Sequence, residues 1–205
     1  MNMMVKAGFN SVFIGIESPS EESLKECGKF QNLNRDLLTS IRNIQNHGLQ
    51  VQAGFILGFD SDTPSIFERI TNFIQTSGIV AAMVGLLQAP PKTRLYERLK
   101  RENRLIKEPT GNNTDCTTNF IPKMNYQVLI SGYKRVLKKI YSPRYYYQRL
   151  ITSLRRYKQK RVKVFRFHFQ SFLAFLKSIW VLGIKEKERF YYWKLIIWTL
   201  LKKPK

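Results

Sequence analysis

The chain has 205 residues, of which 43% are hydrophobic, enough to form a core in one large domain or two small ones. Its two cysteines, Cys27 and Cys116, lie far apart with no CxxC or Cys/His spacing nearby, which argues against a disulfide framework and against a zinc or iron–sulfur site made by this chain alone. The net charge of +21 lies almost entirely in the second half, since residues 1–100 have 10 basic and 9 acidic side chains and residues 101–205 have 25 and 5. Two such different surfaces predict two domains.

Apolar runs in the first hundred residues predict three buried strands. A short helix is expected to end at Gly8, and the first strand follows over residues 11–17. The other two strands are expected over residues 49–59 and 79–87. Continuous apolar composition of this kind is typical of strands that are covered on both faces.

Helical patterns follow each predicted strand. Ser18, with Pro19 and Glu21 after it, matches a capping box and predicts the start of the first helix. Further helix starts or caps are expected at Asn34, Thr63 and Thr93. Because strands alternate with helices, the sequence predicts a parallel sheet with right-handed crossovers.

Ligands bind to parallel sheets beyond the C-terminal ends of the strands. The predicted strands end with polar groups or glycines that a buried strand does not need, and Gly54 leaves the backbone accessible within the second strand. The candidate binding residues are Glu17, Ser18, Gly54, Gly58 and Gln88. The sequence predicts no catalytic side chain and no metal ligand.

Three segments resemble, in order, the second half of a radical S-adenosylmethionine (SAM) enzyme. Residues 7–18 (AGFNSVFIGIES) resemble the fourth strand of its barrel, and residues 54–59 (GFILGF) resemble the fifth, with the glycine-rich motif beside the adenine. Residues 88–96 (QAPPKTRLY) resemble the sixth strand and the PGTxLY turn after it. Over nearly its whole length, the chain is similar to the subgroup with a cobalamin-binding domain ahead of the barrel, which includes hopanoid methylases.

This resemblance implies an α/β fold, the second half of a partial (β/α)6 barrel with three parallel β/α units, followed by an all-α basic domain. The implied cofactors are SAM, a [4Fe–4S] cluster and cobalamin. The implied reaction is methyl transfer, or related radical chemistry, on a hydrophobic lipid-like small molecule. Glu17 and Ser18 would bind ribose hydroxyls or the methionine amino group, Gly54 and Gly58 would admit the adenine, and Gln88 would face the same opening.

The sequence departs from the family pattern in two ways. The cluster-binding CxxxCxxC motif, the cobalamin domain and the first three barrel strands would all precede Met1. Lys92 occupies a turn position that is usually glycine, and a positive φ there would cost about 1 kcal/mol or more. We therefore expect this chain to be inactive alone and to need an N-terminal half, supplied by the same polypeptide or by a separate chain.

The second half of the sequence is predicted to be helical and basic. Residues 1–108 form the predicted barrel portion, residues 109–124 a polar linker, and residues 125–205 an aromatic-rich helical domain. Helices are expected to begin at Asn125 and Pro143. Two more are expected, over residues 165–184 and 190–201.

The basic and aromatic composition of the tail favours a surface partner. The run 155–166 is rich in Lys and Arg, and Lys177, Lys185 and Lys194 interrupt every apolar stretch before it reaches the ~18 residues of a spanning helix. Such helices are typical of the interface of an anionic membrane. Burial against missing domains is the second interpretation, and binding of nucleic acid is the third.

Three functions follow from the sequence. The first is a C-terminal fragment of a cobalamin-dependent radical SAM enzyme. The alternatives are a non-catalytic basic module that binds a membrane or a partner, and a fragment of a tRNA-modifying radical SAM enzyme. Because residues 1–10 lack an apolar signal segment, we expect a cytoplasmic location, peripheral at the inner face of the membrane.

Overall fold

The computed structural model describes residues 1–109, 116–157 and 169–202. Strands and helices alternate in the first half, and helices follow in the second. The strands are β1 (Ser11–Glu17), β2 (Gln50–Leu57) and β3 (Ala82–Leu86). The helices are α1 (Asn2–Ala7), α2 (Glu21–Glu26), α3 (Leu37–Asn46), α4 (Ile66–Ser77), α5 (Arg94–Arg101), α6 (Tyr126–Ile140), α7 (Pro143–Arg156), α8 (Phe169–Ser178) and α9 (Arg189–Lys202), with a 3-10 turn over Phe30–Asn32 and a π-helical turn over Ile179–Lys185.

The three strands form one parallel sheet in the order β1-β2-β3. This confirms the predicted α/β class and the parallel pairing. The strand β1 has the predicted bounds, whereas β2 and β3 are shorter than the apolar runs that contain them. Leu49, Phe59, Ile79 and Leu87 are buried outside the strands, so their apolar character reflects the core around the sheet ends.

Three helix starts differ from those predicted. Ser65, and not Thr63, is the residue before α4, because Thr63 and Pro64 belong to the turn that precedes the helix. Ser20, and not Ser18, is the N-cap of α2, and Ser18 Oγ instead accepts a hydrogen bond from the Ser20 backbone N–H at 3.1 Å. Asp36, and not Asn34, caps α3, because its carboxylate accepts from the Thr39 N–H at 3.0 Å. Asn34 has φ 53°, a left-handed turn conformation that precedes the helix.

Other caps are as the sequence predicts. Gly8 ends α1 with φ 108°, and Thr93 begins α5 by accepting a hydrogen bond from the Tyr96 N–H at 3.2 Å. Asn125 begins α6 by accepting from two backbone N–H groups of its first turn. Lys92 has φ 67°, so the turn before α5 does require the conformation that glycine adopts most readily.

One face of the sheet packs against α3, α4 and α6. Its core includes Phe55 and Leu57 from the sheet and Leu129, Tyr133 and Val136 from α6. The helices α4 and α6 approach closely, because a Cβ added at Gly132 would collide with the Phe67 ring. The main core therefore continues across residue 108, the predicted end of the first domain.

The other face of the sheet is open within the described part of the chain. Phe13 and Met83, on β1 and β3, are 58% and 60% exposed. Exposed and buried residues alternate along β2 and β3, which corrects the expectation of strands covered on both faces. An apolar run predicts burial but cannot distinguish one covered face from two when small residues such as Gly15 and Gly54 alternate with large ones.

Arg149 attaches α7 to the body of the protein. Its guanidinium is fully buried and donates to the Ile140 carbonyl and to Gln75 Oε1. The rings of Tyr141 and Tyr146 lie 5.7 and 5.6 Å from it. Burial lowers the pKa of Arg149, but the aromatic rings and carbonyls partly compensate for the lost hydration.

The tail is helical, as predicted, with helices starting at Pro143 and at Arg189. Most of the basic run, residues 158–166, and the predicted start of the next helix at residue 165 lie outside the described residues. Among the described helices, none combines the length and the apolar character needed to cross a membrane.

Candidate functional site

A cleft of about 490 Å³ is lined by residues of all three strands and of α6. Three of the five predicted binding residues line it, namely Glu17, Gly54 and Gln88. The remainder of its lining is mostly apolar. It comprises Phe13, Gly15, Phe55, Ile56, residues 82–87, Tyr133 and Leu137 of α6, and Tyr141, which directly follows α6.

A pair of glycines forms the floor of the cleft. Gly15 of β1 lies opposite Gly54 of β2 in the parallel register. A Cβ added at Gly54 would lie 3.2 Å from Cζ of Phe13, so the ring of Phe13 leans over this glycine. The side chains of Phe13, Glu17 and Lys29 lie over these two glycines, so a flat group could reach the backbone here only if it displaced them.

Glu17 lies at the end of β1, where the strand becomes irregular. The register with β2 shifts between Gly15 and Glu17, which is a β-bulge, and Glu17 has φ 67°. Its carboxylate forms an ion pair with Lys29, with 3.0 Å between Oε1 and Nζ. Bulges and strained residues of this kind re-aim side chains at the rims of binding sites.

Gln88 follows β3 and has one unsatisfied atom. Its Nε2 donates to the Thr117 carbonyl, whereas its Oε1 is buried and has no hydrogen-bond partner among the described residues. A buried amide oxygen without a partner carries a desolvation cost that a donor on a ligand would remove. This atom could accept from a hydroxyl or amino group in the cleft once a movement of the side chain exposed it.

The segment after Cys116 fixes the position of Gln88. Asn119 is fully buried, and its side-chain amide accepts from Ala89 N at 2.8 Å and donates to Ala89 O at 2.9 Å. Both backbone groups of the residue after Gln88 are thus held by one side chain. This role was not predicted from the sequence, because Asn119 lies 30 residues from Ala89.

Ser18 and Gly58 lie outside the lining of the cleft. Ser18 is fully buried in the turn before α2. Gly58 has φ 102°, and its N–H donates to Asp62 Oδ2 at 2.9 Å. Asp62 also accepts from the Phe59 N–H and the Ser23 hydroxyl, while burial raises its pKa. In this structure both predicted binding residues support turns at the strand ends.

Ionic contacts hold the loops on this side of the sheet. Asp60 accepts two hydrogen bonds from the Arg104 guanidinium, at 2.6 and 2.8 Å, and lies 3.2 Å from Arg98. Glu26 of α2 accepts from the backbone N–H groups of Asp60 and Ser61. The Arg104 hydrogen bonds lower the pKa of Asp60, despite the opposing effect of burial.

The cleft contains further residues that sequence patterns did not identify as functional. Gly15 was not predicted as a site residue, although a glycine inside a strand is a sequence signal that can mark a close backbone approach. Lys29 reaches Glu17 from the turn after α2, and Tyr133 and Tyr141 come from a helix about fifty residues beyond β3 and from the residue that follows it. Side chains brought together over such separations leave no local signal in one sequence.

Among the residues of the described ranges, no three His, Cys, Asp or Glu side chains form a group that could hold a metal ion. The described cleft has one carboxylate, one unpartnered amide oxygen and a mainly apolar lining. This arrangement is suited to binding a molecule with both a planar ring and polar groups.

Comparison with known proteins identifies relatives of the whole chain. A family described as a domain of unknown function, DUF4070, matches residues 93–205. An uncharacterised methyltransferase of Synechocystis sp. (strain PCC 6803) is 36% identical over 196 residues, 94% of this chain and 37% of that protein. The hopanoid C-2 methylase of Rhodopseudomonas palustris (strain TIE-1) is 30% identical over 209 residues, 98% of this chain and 39% of that protein.

A third relative matches a shorter region. The bacteriochlorophyllide d C-12(1)-methyltransferase of Chlorobaculum tepidum is 30% identical over 95 residues, 46% of this chain and 21% of that protein. The chain thus spans less than two fifths of the length of these curated relatives. It belongs to the hopanoid-methylase-like subgroup of radical SAM proteins with a cobalamin-binding domain, and it matches a C-terminal portion of them.

Proposed function

We propose that this chain provides one side of the SAM-binding surface of a cobalamin-dependent radical methyltransferase. The observation that carries the proposal is the convergence of Glu17, Gly54 and Gln88, from three neighbouring parallel strands, on one cleft. The relatives support it because three of them are named as methyltransferases or methylases.

The residues of the cleft fit the parts of SAM. The adenine ring would lie against the backbone at Gly15 and Gly54, where it would displace the Phe13 ring and the Glu17–Lys29 pair that cover these glycines. Gln88 Oε1 would accept a hydrogen bond from a ribose hydroxyl or the adenine amino group. The Glu17 carboxylate would pair with the methionine ammonium in place of Lys29. When bound beside a reduced [4Fe–4S] cluster, SAM supplies the radical chemistry of the family.

The open sheet face supports the proposal that a further segment completes the site. We assign the cluster thiolates and the cobalamin to that segment, in the same polypeptide or in a separate chain, because the described residues bring no metal-ligand group together. The sequential order β1-β2-β3 is the order that a partial (β/α)6 barrel requires. Phe13 and Met83 would then face the interior of that barrel.

The apolar lining favours a large hydrophobic methyl acceptor. Phe13, Met83, Leu137 and Tyr141 surround the cleft, and few charged groups compete with them. Two relatives are named for a hopanoid and a bacteriochlorophyllide, which are both large and mainly apolar ring compounds. By this proposal, the acceptor of the present protein belongs to the same chemical class.

Saturation-transfer NMR tests the binding surface, since it detects weak ligands. We expect transfer from the full chain to the adenine protons of SAM. Gly54→Val, which fills the floor, and Gln88→Leu, which removes the free acceptor, should each weaken binding about tenfold or more.

The matched control is Gln127→Leu, because Gln127 is an exposed residue of α6 outside the cleft. It should bind SAM as the parent chain does. No transfer to the adenine protons, or equal affinity for the parent chain and both cleft variants, would contradict the proposed surface.

A further inference from the structure

The C-terminal segment, comprising α8, the π-helical turn and α9 (residues 169–202), exposes large apolar side chains along its whole length. Leu201 is 75% exposed, Phe190 68% and Trp180 55%. The other exposed members are Phe169, Phe172, Leu173, Phe175, Leu176, Val181, Leu182, Ile184, Trp193, Ile197 and Leu200. Exposed apolar area on this scale marks an interaction surface, because a soluble surface does not otherwise retain it.

The exposed apolar side chains of α9 lie on one face of the helix, and the opposite face packs against α7. Phe190, Trp193, Ile197 and Leu200 recur at spacings of three and four residues. On the opposite face, the Tyr191 ring stacks on Tyr147 with 6.1 Å between centroids, and Arg155 lies 5.7 Å from the Trp198 ring.

The turn between α8 and α9 is held by specific contacts. Trp193 Nε1 donates to the Gly183 carbonyl at 3.0 Å, and the hydroxyls of Ser178 and Tyr192 lie 2.9 Å apart. A Cβ at Gly183 would lie 3.2 Å from both aromatic rings. The apolar surface therefore belongs to an ordered arrangement of two helices.

The charge of the same segment indicates the nature of its partner. Residues 169–202 contain six basic and two acidic side chains. The basic residues are Lys177, Lys185, Lys187, Arg189, Lys194 and Lys202, and the acidic ones are Glu186 and Glu188. Apolar and aromatic side chains interspersed with lysine match a lipid surface with anionic headgroups, where rings enter the acyl boundary and ammonium groups meet phosphates.

We propose that the C-terminal segment binds in the interface of an anionic lipid membrane. The helices lie in the plane of the surface, because no helix among the described residues is long and apolar enough to cross a membrane. The exposed faces of α8 and α9 enter the headgroup region while α7 stays on the aqueous side. This proposal does not depend on the proposed methyl transfer.

Tryptophan fluorescence reports on this surface without a label. All three tryptophans of the chain, Trp180, Trp193 and Trp198, lie in the segment. We expect a blue shift and co-sedimentation when the full chain is mixed with vesicles of phosphatidylcholine and phosphatidylglycerol at low salt. Vesicles of phosphatidylcholine alone should bind more weakly, and added salt should reduce the electrostatic part while leaving apolar binding.

Paired variants separate apolar from electrostatic contributions. The apolar variant is a triple substitution, Phe190→Ser, Ile197→Ser and Leu200→Ser. It should reduce vesicle affinity at least about tenfold. The control is Met3→Ser with Ile106→Ser and Ile121→Ser, three exposed apolar residues outside the segment, and it should bind as the parent does.

A second pair of triple variants tests whether the lysines of the C-terminal segment contribute to vesicle binding. Lys177→Gln with Lys185→Gln and Lys194→Gln should lower affinity for anionic vesicles at least about tenfold at low salt. The control with the same net charge is Lys100→Gln with Lys134→Gln and Lys138→Gln, outside the segment. If both triple variants lose affinity equally, a general charge effect is responsible and the proposal is wrong.

Other outcomes also overturn the proposal. Absence of a blue shift and of co-sedimentation with anionic vesicles at low salt would do so. Concentration-dependent dimers that the Phe190, Ile197 and Leu200 triple variant abolishes, without vesicle binding, would show that a second copy covers this face. Stronger binding to single-stranded RNA that vanishes steeply with salt would assign the surface to nucleic acid.

Discussion

Glu17 and Lys29 form an ion pair over Gly15, with 3.0 Å between Glu17 Oε1 and Lys29 Nζ. A Cβ at Gly15 would collide with that carboxylate and would lie 3.0 Å from Lys29 Nζ. The glycine thus makes room for a charged pair at the edge of an otherwise apolar cleft. Sixteen per cent of the Glu17 side chain and 32% of the Lys29 side chain remain exposed, so a ligand can reach both groups.

Glu17→Gln should weaken SAM binding about tenfold, because a hydrogen bond to a charged group contributes about 1.5–3 kcal/mol. The free energy of unfolding should change by less than about 1 kcal/mol, since the pair is partly exposed. Saturation-transfer NMR and urea unfolding measure the two quantities. Glu21→Gln, an exposed change at the start of α2, is the control and should affect neither. A large loss of stability with unchanged binding would make Glu17 a structural residue.

Asn119→Ala should destabilise the chain by about 2–3 kcal/mol, because it leaves the N–H and the carbonyl of Ala89 buried without partners. The same variant should also weaken SAM binding, since the backbone next to Gln88 loses its support. Asn43→Ala, an exposed change on α3, is the matched control for urea unfolding. Full retention of SAM binding by Asn119→Ala would show that Gln88 is positioned by other contacts.

Gly132→Ala should destabilise the chain by about 1–3 kcal/mol, although alanine is the better helix former. The reason is the collision between the new methyl group and the Phe67 ring on α4. Phe67→Leu should restore part of the loss in the double variant, because it frees space at this contact. Ser131→Ala, on the exposed side of α6, should leave the urea midpoint unchanged or slightly higher. Additive effects of the Gly132 and Phe67 changes would contradict this contact.

Asp60→Asn should cost about 2 kcal/mol at neutral pH, because Arg104 loses its two hydrogen bonds to the Asp60 carboxylate and keeps only the ion pair with Glu102. The pKa of Asp60 is lowered from its ordinary 3.8 by the Arg104 hydrogen bonds. Its contribution is therefore complete above about pH 5 and is lost as the pH falls through the lower value in the folded state. The difference between the variant and the parent should shrink in acid.

Urea unfolding at pH 7 and at successively lower pH values measures this effect. Asp36→Asn is the control, because Asp36 is an exposed cap and asparagine caps a helix about as well as aspartate, so this change should cost less than about 0.5 kcal/mol. An Asp60→Asn penalty that stays constant down to pH 3 would mean that the cost arises from packing instead of charge.

The sequence by itself determined the elements whose causes are local. Thr93 and Asn125 cap helices because the bonding partners lie two or three residues away. Ser11–Glu17 forms a strand because its apolar run is short and bounded by turn residues. Asn34 was mistaken for a cap because Asp36, two residues later, forms the better hydrogen bond to the Thr39 N–H.

The family was also predictable, because three short motifs in the correct order are a property of the chain alone. Their residues mark the strand ends, and the comparisons confirm the family. The motifs did not reveal which of their residues line the cleft. Ser18 and Gly58 occur in the motifs as Glu17 and Gly54 do, yet their polar groups are engaged in turns.

Only the tertiary structure decided which groups meet. Lys29 reaches Glu17 across a turn, Asn119 fixes Ala89 from 30 residues away, and α6 brings Tyr133 to the cleft. These contacts depend on how helices pack around the sheet, which is decided by the summed burial of many side chains. A single sequence records the residues that can be buried but not the neighbours that bury them. The open face of the sheet follows for the same reason, since an apolar strand has the same composition whether or not a second layer covers it.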